Sequence, residues 1–165
     1  MHEWAKKYSA EKKYSYLYPK RNQRGMYYFE DRKWEGNNFQ LSYPSLVKIL
    51  SQSKIVLVSP PDTSDIKRTG RVSPLTHRYL EAAMCYAVPV GFTPAGGEYA
   101  NFFPKTFTTV PKDYEEFKHV CNRLSEDIDL RLKITNENRN YVSENHSVEA
   151  RYKQLKQILS IYKKN

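Results

Sequence analysis

Two short runs constrain this chain more than anything else in it: KIVLVS at residues 54–59 and VPVGF at residues 88–92. Each sets apolar, largely β-branched residues side by side, without the polar alternation of a strand that has one wet face. Such segments are predicted to be strands buried on both faces, the habit of parallel sheets held between helices. Parallel strands need a long crossover, and residues 60–87 are long enough to supply one.

The flanking segments fit that requirement. SYPSLVKILSQS reads as a helix with Leu46, Ile49 and Leu50 at helical spacing and Pro44 in its first turn, where a missing N–H does no harm. SPPDTSDIKRTGRVS, residues 59–73, has no period and reads as a loop at the carboxyl end of the first strand. LTHRYLEAAMCYA resumes helical spacing, with Leu80, Ala83, Met84 and Ala87 as the expected buried stripe. After a Gly96–Gly97 turn, TFTTV at residues 106–110 is predicted to be a further short strand. Asp113 and Glu116 start a helix carrying Phe117, Val120, Cys121 and Leu124, and DLRLKITNENRNYV makes a second, more polar one. Ser147 caps a third, expected to bury Val148, Tyr152, Leu155, Leu159 and Tyr162.

Helix, strand, loop, helix, strand is α/β rhythm. The expected fold is a single Rossmann-like α/β domain with a parallel sheet flanked by helices and with the C-terminal helices packed on one side. Residues 1–40 form a basic, aromatic segment of the same domain, with MYYFEDR as its best strand and YSYLYP as a weaker one; residues 41–165 hold the α/β unit. At 165 residues, one core of useful size can form without disulfides or metal.

Cys85 and Cys121 each sit on an apolar stripe, as small core residues do, and the absence of a disulfide framework makes the cytoplasm the expected location. No run approaches the length of a membrane span. The net charge of +9 favours anionic partners, whether phosphates, nucleic acid or the surface of an anionic membrane touched peripherally. There is no C-x-x-C, H-E-x-x-H, G-x-x-x-x-G-K-[ST], G-x-G-x-x-G or G-x-S-x-G, and the four histidines lack partners at metal spacing, so neither a cofactor nor a metal is expected.

One polar residue stands out in the crossover helix: Glu81, set in RYLEAAM. An ion pair with Arg78 at i−3 accounts for it as a structural residue. A second account makes it an acceptor for two neighbouring hydroxyls of a sugar, because open α/β sheets bind ligands outside the carboxyl ends of their strands. Ser73, Pro74 and Thr76 would then cap the helix, and Lys67, Arg68 and Arg71 would stand beside a bound diphosphate.

SPLTHRYLEAAMCYAVPVG also resembles the donor-site signature of glycosyltransferases of the two-lobed GT-B architecture. Glu81, Ala82, Val88, Pro89 and Val90 match its spelling E-A-x-x-x-G-x-[IV]-P-V, and Pro74 and Leu80 match the frame of the E-x7-E form. YPSLVKILSQSKIVLVSP, TPAGGEYA and ENHSVEARYKQLKQIL are similar to the preceding helix and strand, the Gly-rich turn and the closing helix that crosses toward the first lobe. The resemblance spans residues 41–162. It implies a C-terminal lobe that binds a nucleotide sugar, UDP- or GDP-linked, with Glu81, Arg78, Thr76, Ser73, Arg71 and Arg68 around the donor.

Two residues depart from that pattern. Ser73 stands where the first Glu of E-x7-E belongs, and Tyr86 replaces the Gly. The resemblance assigns no catalytic residue within the chain, since the general base would come from an acceptor lobe for which 165 residues leave no room. Transfer would then depend on a larger or split enzyme, with an acceptor-lobe protein as partner. Two other functions remain open: a basic nucleic-acid-binding module, suggested by the aromatics interleaved with Lys and Arg in residues 6–34, and a non-catalytic subunit, suggested by Ser73.

Overall fold

The computed structural model describes residues 1–12, 14, 16, 19–21, 27–29, 43–60, 75–94 and 98–162. Among these, the elements are α1 (His2–Lys12), β1 (Pro19–Arg21), β2 (Tyr27–Phe29), α2 (Tyr43–Ser51), β3 (Ile55–Val58), α3 (Arg78–Met84), β4 (Val88–Gly91), α4 (Glu98–Phe102), α5 (Tyr114–Glu126), α6 (Ile128–His146) and α7 (Val148–Tyr162).

The two apolar runs are β3 and β4, and they pair in parallel, with Ile55 opposite Val88 and Val58 opposite Gly91. Both faces of the pair are covered, as the unbroken apolar sequence requires. Val56 and Val58 pack into one cluster with Tyr79, Ala82, Ala83, Phe103 and Phe107. Ile55, Leu57, Val88 and Val90 pack into a second with Ala5, Tyr8, Phe117, Cys121 and Leu124. Pro89 lies inside the sheet with its carbonyl accepting from the Thr109 N–H at 3.1 Å, while the Phe107 carbonyl, two residues before Thr109, takes its donor from Asn138.

Segment 106–110, expected as a strand, contributes one parallel bridge, Val90 with Thr109. Among the described residues the parallel sheet is therefore two strands and a bridge. The Asn138 Nδ2 of α6 donates to the Phe107 carbonyl at 2.9 Å, so a side chain satisfies backbone polarity in this segment.

The C-terminal helices are not confined to one side of the sheet. α5 belongs to the second cluster, whereas α6 gives Leu130 and Ile134 to that cluster and Tyr141 and Val142 to the first. Wrapping the edge lets one helix close both halves of the core. The caps are as expected: Asp113 accepts from the Glu116 N–H at 2.8 Å, and the Ser147 hydroxyl from the Ala150 N–H at 3.2 Å.

Burial departs from expectation in two helices. In α3 the buried residues are Tyr79, Ala82 and Ala83, while Met84 is exposed. In α7 the helix forms where expected, but Val148, Tyr152, Leu155 and Leu159 are all more than half exposed, and the Tyr162 side chain lies outside the described residues. Helical periodicity is a local property, and burial needs a second surface. The N-terminal region brought the opposite surprise. His2–Lys12, polar in sequence, is a helix that buries Ala5 and Tyr8 on α5, where the Tyr8 hydroxyl donates to Asn122 Oδ1 at 3.0 Å and Glu11 pairs with Lys118 at 3.1 Å. YYF of MYYFEDR is β2, antiparallel to β1, and β1 itself begins at the last residue of YSYLYP.

Candidate functional site

Parallel pairing sends β3 and β4 out of the sheet on the same side, so the segments after Val58 and after Gly91 start as neighbours; the Phe92 N–H still donates to the Val58 carbonyl at 3.0 Å. Close approach is built into the end of β4. Gly91 has φ 151°, and a Cβ there would stand 1.9 Å from the Val58 oxygen. Tyr79 ties α3 to the same place, its hydroxyl donating to the Phe92 carbonyl at 2.6 Å. Sequence reading passed over Tyr79, because the helical stripe was traced through Leu80 and Met84; its hydroxyl on an otherwise buried ring was the available signal.

α3 begins later than its capping residues suggested. Its N-cap is His77, with no side-chain cap bond, so Thr76 does not cap it, and at seven residues it is a short helix. Ser73, Arg71 and Arg68, together with Lys67 and the Gly96–Gly97 turn, lie outside the described residues. Thr76 and Arg78 are both partly buried at the start of the helix.

Glu81 sits in the first turn of α3, where a carboxylate is favoured by the helix dipole. It flanks the fully buried face of Tyr79, Ala82 and Ala83 rather than belonging to it. Its Oε2 meets Arg78 Nη1 at 2.9 Å, with the Glu81 side chain 18% exposed and that of Arg78 37%. The ion pair open from the sequence is therefore present. Oε1 of Glu81 has no partner among the described residues.

The far end of α3 explains a motif position. The Tyr86 N–H donates to the Ala83 carbonyl and the Ala87 N–H to that of Ala82, a Schellman closure in which Tyr86 takes φ 57°. That left-handed conformation suits glycine, the residue the signature carries there, and Tyr86 adopts it while the Arg139 guanidinium lies 4.3 Å from its ring centroid.

Neither cysteine is poised as a nucleophile. Burial pushes the Cys85 thiol up, and the charge of Glu81 adds to the effect; burial pushes Cys121 up to about 12. Among the described residues no group of three His, Cys, Asp or Glu is placed to hold a metal ion, and no helix is long and apolar enough to cross a membrane. Trp4 and Tyr8, from the basic aromatic segment, spend their rings on Phe117 in the core rather than offering faces for stacking.

The sequence profile of the family described as glycosyl transferase-like matches residues 18–157, nearly the whole α/β unit and part of the segment before it. The chain belongs to the glycosyl transferase-like family. No curated protein and no solved structure matches it. The match to this glycosyl transferase-like protein runs from ahead of β1 into α7, so the small sheet, the edge-wrapping α6 and Glu81 all fall within family territory.

Proposed function

We propose that this glycosyl transferase-like protein is the donor-binding lobe of a two-lobed, GT-B-type glycosyltransferase. A UDP- or GDP-linked sugar would lie across the carboxyl ends of β3 and β4, with Glu81 accepting from the two ribose hydroxyls. The observation that carries the reading is Glu81 itself: a largely buried carboxylate, oriented through one oxygen by Arg78, with the other oxygen unpartnered among the described residues. A second oxygen left over from the ion pair is an acceptor that a ligand hydroxyl can use. Thr76, Ser73, Arg71 and Arg68 precede it on the way from β3, where hydroxyls and guanidinium groups neutralise a leaving diphosphate.

The chain carries no assigned catalytic residue in this reading, and the general base comes from an acceptor lobe. The exposed apolar row of α7 supports a second surface of that kind, because Leu155, Ile158 and Leu159 are each 51% exposed. A thermal-shift series with UDP, GDP, ADP and CDP and their sugars tests donor binding. A ligand at 100 times its dissociation constant raises stability by about 2.7 kcal/mol. In calorimetry Glu81→Gln keeps the fold and weakens the binding nucleotide by about 1.5–3 kcal/mol. Equal affinity of wild type and Glu81→Gln would reduce the carboxylate to an ion-pair partner and remove the donor reading.

A further inference from the structure

A recess lies between segment 105–109 and the N-terminal half of α6. It is a cleft of about 450 Å³, within the size range of small-molecule sites. We infer that this cleft binds a small, hydroxyl-bearing phosphate monoester, at a site separate from the proposed donor site and independent of it.

The first support is an unused buried acceptor. Asn138 lines the cleft and is 4% exposed; its Nδ2 is committed to the Phe107 carbonyl, and its Oδ1 has no partner among the described residues. The orientation of the amide is decided, since only the NH2 end can donate to a carbonyl. An acceptor buried in this way calls for a donor from elsewhere, and a ligand hydroxyl is one.

The second support is a buried donor. Thr108, 5% exposed, lines the cleft, accepts from the Tyr99 hydroxyl at 2.6 Å and gives its own hydroxyl proton to no acceptor among the described residues. Charge sets the rest of the chemistry. Lys105 and Lys133 both line the cleft and form no ion pair among the described residues; one carboxylate, Glu137, lines it too, which leaves the two lysines in excess. Two ammonium groups on opposite walls favour an anion, and Lys acts on phosphate as a point charge. Leu130 and Ile134 give an apolar wall against which a sugar ring or carbon chain can lie. Anion, hydroxyl donor, hydroxyl acceptor and apolar carbon face together describe a phosphorylated polyol rather than inorganic phosphate or a neutral sugar.

The full chain is titrated by calorimetry with glucose 6-phosphate, glucose and inorganic phosphate. Saturable binding of glucose 6-phosphate, at least tenfold tighter than either of the others, is expected. Lys105→Gln and Lys133→Gln are exposed substitutions that leave the fold intact by circular dichroism, and each weakens binding at least tenfold. Lys153→Gln, on α7 and outside the cleft, does not change it, and saturating UDP does not displace the ligand. Inorganic phosphate binding as tightly as glucose 6-phosphate would reduce the cleft to a non-selective anion patch, and Lys153→Gln weakening binding as much as Lys133→Gln would show surface charge alone; either overturns the inference. Displacement by UDP would overturn the separateness of the site, while failure of every nucleotide to bind would leave this inference standing and defeat only the donor reading.

Discussion

α3 and α7 look alike in sequence, each an apolar stripe on a helix, and the structure treats them in opposite ways. In α3, Tyr79, Ala82 and Ala83 are 0% exposed between the sheet and α6. In α7, Val148 is 81% exposed and Ile161 63%. A stripe states which face prefers to leave water; what covers that face is settled by other parts of the chain or by another molecule. Size follows the same division. Next to the sheet the helix uses alanines because the backbones approach closely, whereas α7 carries Leu and Ile that stand out from the domain.

The sharpest way to break the comparison is at the tightest point of the buried layer. Gly91→Ala puts a methyl group 1.9 Å from the Val58 oxygen at a φ of 151°, and either strain alone is serious. It should cost about 4 kcal/mol or more, read in urea denaturation, or prevent folding. A loss under about 1 kcal/mol would mean that the end of β4 yields easily.

Overpacking compares the two helices directly. Ala82→Leu adds three carbons to a site with no exposure and should cost about 1–3 kcal/mol. Leu155→Ser on α7 should change stability by no more than about 0.5 kcal/mol in the isolated chain. If Leu155→Ser costs as much as Ala82→Leu, then α7 is covered in solution, and sedimentation should show a second copy or another partner on it.

A smaller effect is expected at the exit of α3. Tyr86→Gly relieves a left-handed residue whose strain is about 1–2 kcal/mol, and it forfeits the stacking of Arg139, worth about 0.5–1 kcal/mol when exposed. A net gain of up to about 1 kcal/mol should appear in thermal melts. Destabilisation would show that the Arg139 contact outweighs the backbone strain.

The mildest test sits at the junction where the buried region gives way to α7. His146 donates through Nε2–H to the Phe102 carbonyl at 2.9 Å, stacks on Phe103 at 5.0 Å and accepts from Arg151 at Nδ1. Burial lowers its pKa below the ordinary 6.5; the Phe102 bond opposes that shift, and the Arg151 charge adds to it. The folded state therefore holds the neutral ring. Its contribution is complete above pH 6.5 and is lost as pH falls from there toward the lowered value. Protonation at Nδ1 also ejects Arg151, so α7 should loosen first, visible as lower amide protection factors, corrected for the intrinsic exchange rate at each pH, in residues 148–162 at pH 5.5 than at pH 7.5. His146→Gln should flatten the pH dependence of stability in that window, and an unchanged slope would assign it to other groups, such as His2, whose pKa is also lowered by burial.

Local chemistry was enough for much of this protein. The β-branched runs specified β3, β4 and their parallel, doubly covered environment, because a strand of four apolar residues without alternation needs cover on both faces. Asp113 and Ser147 specified helix starts, because a cap acts over three residues. The E-A-x-x-x-x-x-V-P-V pattern pointed to the glycosyl transferase-like family and to Glu81. Tertiary structure alone decided the rest, since each remaining question depends on residues far apart in the chain. Among these are the choice of Tyr79 over Met84 for the core, the burial of α1 by α5, the single bridge that segment 106–110 makes, and the exposure of α7. Glu81 falls on the boundary between the two. Its pairing with Arg78 lies within one helical turn and was readable, whereas the burial of its side chain, with one oxygen left without a partner among the described residues, exists only once α3 is packed against the sheet.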